Sequence, residues 1–207
     1  SVRVPTIKRL EEFQLLGTDR DALEQLLKNG ASQVADDTPN ELLGFLQAST
    51  RGALMASRRV SEAATDYRTD VNYPQSGLGE KLRLVAQLID AGLQTRIYYM
   101  QLDGFDTHAA QPDTHSILLR EWSDAVTAFV NDLTNHGHDE RVCVMTFSEF
   151  GRRVAENASD GTDHGAAGPM FVCGGQLNAG VIGEAASLTD LQEGDLKHHI
   201  DFRSVYS

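Results

Sequence analysis

Apolar and polar positions alternate along the chain with two different periods, and the change of period marks the elements. Leu23, Leu26 and Leu27 share one face of a short helix over Asp19 to Lys28, closed by Asn29-Gly30. Thr38-Pro39 has the form of a helix start, with Thr38 as N-cap and Pro39 in the first turn. That helix is expected to run to about Tyr67, with Leu42, Leu46, Ala53, Val60 and Ala64 inward. A polar, Pro- and Gly-containing loop separates it from a helix ending at Asp90, on which Leu78, Leu82, Val85 and Ile89 recur at helical spacing. Gly92 is placed to cap it. Thr95 to Leu102 (TRIYYMQL) is β-branched and aromatic and predicts a strand. A long helix follows over about Asp113 to Asn135, its inward face Leu118, Trp122, Val126, Phe129 and Leu133. The apolar runs Val142–Phe147 and Met170–Cys173 are too short for helices and read as buried strands. A last short helix is expected to start at Asp195.

Helices of crossover length between strands predict an α/β fold: three α/β/α layers around a mostly parallel sheet. The 207 residues suffice for one domain with its own core, mainly helical over 30–92 and α/β over 93–207. Val2 to Val4 would be a short strand broken by Pro5. The opening SVRVP has the character of mid-domain sequence, so the chain is expected to be the C-terminal part of a longer protein.

Charge narrows the function. The net charge is −12 and basic residues are not clustered, which argues against a nucleic-acid backbone as partner. No apolar run approaches the ~18 residues of a membrane span. The two cysteines, Cys143 and Cys173, lie in the predicted strands and read as buried thiols.

Candidate chemistry lies in two loops, each just beyond a predicted strand. The first offers Asp103, Asp106 and His108. The second offers Glu149, Asp163 and His164. On adjacent parallel strands both would meet at one rim of the sheet. Carboxylate and imidazole donors converging there suit a divalent metal such as zinc or manganese. Arg152 and Arg153, beside Glu149, are candidates for binding an anionic group. No Gly-x-Ser-x-Gly elbow, Walker loop or dinucleotide fingerprint occurs.

Four stretches, LDGFDTH (Leu102 to His108), TFSEFGRRVAEN (Thr146 to Asn157), GTDHGAAGPMFV (Gly161 to Val172) and DFRSVY (Asp201 to Tyr206), resemble a bacterial family catalogued as domain of unknown function 1501. The family is grouped with the alkaline phosphatase and sulfatase superfamily, and its members are typically exported by the twin-arginine route. The resemblance implies a metal-dependent hydrolase of phosphate or sulfate esters, on small molecules or polymers, located in the periplasm or cell envelope. It implies one or two divalent ions, and a nucleophile carried by a segment preceding Ser1. A catalytically degenerate member that binds a ligand or partner is the alternative. Asp163-His164-Gly165 matches the metal-binding DHG of the superfamily directly. Strand order favours a second mapping, in which Glu149 and Phe150 replace the Asp and His of that motif and His164 is the later histidine. Both mappings keep His164 as a ligand; Asp103 and Asp106 remain alternative partners of His108.

Overall fold

The computed structural model describes residues 66–206. The helices expected over Asp19 to Lys28 and from Thr38, and the strand over Val2 to Val4, lie outside the described residues. The chain divides into two compact units, Ser1–Asp70 with Leu84–Tyr98 and Val71–Arg83 with Tyr99–Ser207.

Helix α1 spans Gly77–Asp90. Its second half, in the first unit, buries Val85 and Ile89, which belong to the row that the helical spacing indicated, together with Ala86 and Leu88. The helix closes as expected: Gly92 adopts φ 69°, and the N–H groups of Gly92 and Leu93 return to the carbonyls of Ile89 and Leu88.

In the second unit, α2 spans Gln111–Asn135. Val126, Phe129 and Leu133 are buried with Ala125 and Ala128, while Leu118 and Trp122 are half-buried. Asp132 is buried on the same helix and accepts a hydrogen bond from Tyr73 Oη at 2.7 Å. Leu78 and Leu82 are also buried in this unit.

Among the described residues the strands are β1 (Val144–Thr146), β2 (Gly151–Glu156), β3 (Thr162–Gly165), β4 (Phe171–Cys173), β5 (Leu191–Gln192) and β6 (Asp195–Leu196), and α3 spans Phe202–Tyr206. They form three two-stranded sheets, β1-β4, β2-β3 and β5-β6, all antiparallel. Several expectations are corrected here. The two apolar runs pair antiparallel, Val144 opposite Cys173 and Thr146 opposite Phe171. Their connection is the β2-β3 hairpin rather than a crossover helix, and a chain that returns without a crossover can only pair antiparallel. Thr95 to Leu102 forms no strand, and Ile97 and Tyr99 are 85% and 73% exposed. Its β-forming side chains find no partner strand among the described residues, and β propensity acts only through such neighbours. The run from Asp195 is strand β6, and the last helix begins later, at Phe202.

The β1-β4 ribbon is also less buried than its composition suggests. Phe171 and Val172 are each 45% exposed, although Trp122 lies against Phe171 with ring centroids 4.8 Å apart. Cys143 is exposed and Cys173 half-buried, both as free thiols. A two-stranded ribbon covers its residues on one face only, so an apolar strand here does not imply a buried one.

Candidate metal centre

The loop ahead of α2 carries Asp106 and His108. Gly104, at φ 103°, turns the chain into it, close beneath Leu118. Ala110 is left-handed at φ 45° where the helix begins. No side chain caps α2. Instead the N–H groups of Ala110 and Gln111 donate to the carbonyls of Ser159 and Asp160, at 3.0 and 2.9 Å. These carbonyls belong to the β2-β3 turn, so the hairpin itself closes the helix end. Thr162 Oγ1 donates to Gln111 Oε1 at 2.8 Å and adds a side-chain tie.

Asn157 organises the turn. Its Oδ1 accepts from the N–H groups of Ser159 and Gly161 at 2.9 and 3.2 Å. Its Nδ2 donates to the His108 carbonyl at 3.0 Å and lies 3.4 Å from Asp163 Oδ1. Gly161 permits this approach, because a Cβ there would lie 2.5 Å from the His108 carbonyl oxygen. In the hairpin, Arg152 lies opposite His164 and Gly151 opposite Gly165.

The loop and the hairpin bring Asp106, His108 and His164 together. Asp106 Oδ1 lies 2.8 Å from His164 Nε2 and 3.1 Å from His108 Nε2. The two imidazole centroids are 4.9 Å apart. One ligand atom from each of the three residues falls within 4.8 Å of the others, and all three residues are exposed. Asp163 Oδ1 stands 3.5 Å from the other ring nitrogen of His108, Nδ1, a distance for charge pairing rather than a tight hydrogen bond. Phe150 stacks on His164, centroids 3.9 Å apart and planes within 6°.

Both carboxylates titrate below their ordinary range. For Asp106 the hydrogen bond from His164 is the main cause, opposed by partial desolvation. For Asp163 the Asn157 amide comes first and His108 second. An ionised Asp106 can only accept, so each Nε2 contact is an imidazole N–H donating to the same oxygen.

The donor set fits a divalent ion. Ligands about 2.0–2.1 Å from a tetrahedral zinc stand roughly 3.3–3.4 Å apart, so donor atoms within 4.8 Å of one another close to that spacing by side-chain shifts of up to about 1.5 Å. Two neutral imidazoles and a carboxylate are also a common donor set for an ion that keeps a position open.

A family model described as protein of unknown function, DUF1501, matches residues 4–202. The chain belongs to this family. No curated protein and no solved structure matches it.

The other candidates of this DUF1501 chain fall outside the cluster. Asp103 Oδ1 accepts from Gln101 Nε2 at 2.6 Å, so of the two alternatives it is Asp106 that meets the histidines. Glu149 is exposed and is not part of the three-donor cluster. Arg152 directs two N–H groups to the carbonyls of Thr162 and Phe105. Arg153 Nε lies 3.3 Å from Asp195 Oδ1. Asp163 faces the outer nitrogen of His108 and not the shared centre. Asn157 and Phe150 were not legible as parts of a metal site. The Asn157 side chain works through backbone groups that sequence spacing does not bring together. In the sequence Phe150 stands out only as the residue in the place of the motif's histidine.

Proposed function

We propose that this protein is a metal-dependent hydrolase of phosphate or sulfate esters, with Asp106, His108 and His164 holding a zinc- or manganese-type ion. The convergence of these three donors at the junction of loop and hairpin carries the reading. A bound divalent ion supplies Lewis acidity toward an ester oxygen and lowers the pKa of a nucleophile.

The chain's own residues prepare that site. His108 and His164 present Nε2 to the centre. Where an ion would take the place of the Nε2 proton, Asp163, 3.5 Å from Nδ1, would favour the proton of His108 on Nδ1. Asn157 holds Asp163 and the His108 carbonyl with one amide group. Phe150 covers one face of His164 and keeps water from that side. The centre is exposed, which suits an ester carried on either a small molecule or a polymer. A three-layer, phosphatase-like architecture and export to the periplasm or envelope belong to the same proposal. They rest on the resemblance of the LDGFDTH and GTDHG stretches, not on the pairing described above.

One observation favours a second reading, a ligand-binding member without catalysis. Only one three-donor cluster occurs among the described residues, and Phe150, which cannot ligate, packs directly on His164. Elemental analysis of the purified protein, with hydrolysis of p-nitrophenyl phosphate and p-nitrophenyl sulfate before and after chelation, separates the two. Stoichiometric metal with chelator-sensitive turnover supports the hydrolase. Stoichiometric metal with no turnover on either ester favours the binding role. A metal-free protein that takes up no added zinc or manganese ends the metal-centre reading.

A further inference from the structure

Arg152 touches the two segments that carry Asp106 and His164. It lies on β2, half-buried, opposite His164 in the hairpin register. One guanidinium nitrogen donates to the carbonyl of Thr162, two residues before His164. The other donates to the carbonyl of Phe105, the residue before Asp106. The two ligand-bearing segments, 58 residues apart between Asp106 and His164, are thus spanned by one planar group. The guanidinium carbon also stands 5.0 Å from the centroid of the Phe150 ring, within cation–π range. Phe150 in turn lies parallel to the His164 imidazole.

We infer that Arg152 is a positioning residue of the metal centre, its fork holding Asp106 and His164 at ligand separation while Phe150 fixes the plane of the His164 ring. This rests on the metal-centre reading and gives Arg152 a role other than capture of a substrate anion. An anion at those nitrogens would have to displace two carbonyl acceptors. The role needs arginine. A lysine is a point donor on a flexible stem and cannot hold two carbonyls at a fixed spacing.

Cobalt(II) titration of the wild-type protein, Arg152→Lys and Phe150→Leu tests the inference, with circular dichroism on each. The visible cobalt bands report coordination geometry, which a general loss of stability would not alter in a folded variant. The wild type is expected to bind cobalt. Arg152→Lys is expected to stay folded, to bind roughly 10–100-fold more weakly, as when partners behind a metal ligand are lost, and to give altered bands. Phe150→Leu removes no hydrogen bond, and its bands are expected to change in intensity with little loss of affinity. Arg152→Lys with wild-type affinity and spectrum overturns the inference and leaves the metal centre standing. If Arg152→Lys does not fold, an unchanged spectrum in Phe150→Leu overturns it, and an altered one supports it. A wild-type protein that takes up no cobalt ends the metal-centre reading and this inference with it.

Discussion

Replacing His164 by alanine removes one of three donors and leaves the backbone of β3 intact. The loss can be scaled. Zinc sites with four ligands bind with about 10–16 kcal/mol, or about 2.5–4 kcal/mol per ligand. At 1.4 kcal/mol per tenfold, that is a weakening of roughly 60- to 700-fold. The low end applies here, because His164 is exposed and water readily takes the vacated position. His108→Ala should match it. Asp106→Asn should cost as much or more, since Asp106 is the one carboxylate among the three donors. Asp163→Asn should cost less, about 10–100-fold, because it acts through His108 Nδ1. Asp103→Asn should cost nothing, its carboxylate being turned to Gln101. Competition for zinc against a chromophoric chelator measures each affinity, with far-ultraviolet dichroism to show that the variants fold. A His164→Ala protein with wild-type zinc affinity would refute the assignment. So would Asp103→Asn weakening zinc more than Asp106→Asn.

Three further outcomes follow from other residues. Tyr73→Phe removes a donor to the buried Asp132 carboxylate and should destabilise by about 1.5–3 kcal/mol, the range for a hydrogen bond to a charged group, read as a lower urea midpoint at unchanged slope. Gly161→Ala places a Cβ 2.5 Å from the His108 carbonyl oxygen and should destabilise by about 1–3 kcal/mol, while also weakening zinc binding, since hairpin and loop must separate there. Asp201, held by Arg203, should titrate at about 2 by carboxyl NMR and return toward the ordinary range in Arg203→Ala. Because the folded pKa is depressed, any stabilisation from that pair is present above the ordinary carboxylate pKa and fades as pH falls through about 2; solvent exposure keeps it small.

The helices were legible because their faces are long. Leu78 to Ile89 and Val126 to Leu133 repeat often enough for the period to show, and Gly92 marks an end by a conformation it adopts readily. The sheet was less legible. A run of three or four apolar residues such as Phe171 to Cys173 carries no direction, so parallel and antiparallel pairing look alike in it. The decisive fact was the hairpin between the two runs, where Arg152 to Glu156 reads as a polar loop. TRIYYMQL shows the reverse error, strand-forming side chains without a strand beside them. At the site, Asp106, His108 and His164 stood out because acids and imidazoles in two loops after apolar runs are chemically conspicuous. Asn157 and Phe150 did not, and Arg152 stood out only as a candidate anion binder, because each acts on a backbone carbonyl or a ring face distant in sequence.

The borrowed cap on α2 sets an order of events. Asn157 Nδ2 reaches the carbonyl of His108 across 49 positions, and the neighbouring carbonyls of Ser159 and Asp160 close the helix over a similar span. Such a contact forms only after the intervening chain has been gathered in, and the entropy of that closure is spent before any contact repays it. Without the docked hairpin, the N–H groups of Ala110 and Gln111 and the carbonyl of His108 lack these partners. For the proposed ion, this makes the three-donor chelate a product of the docked hairpin: Asp106, His108 and His164 are at ligand separation only where hairpin and loop meet.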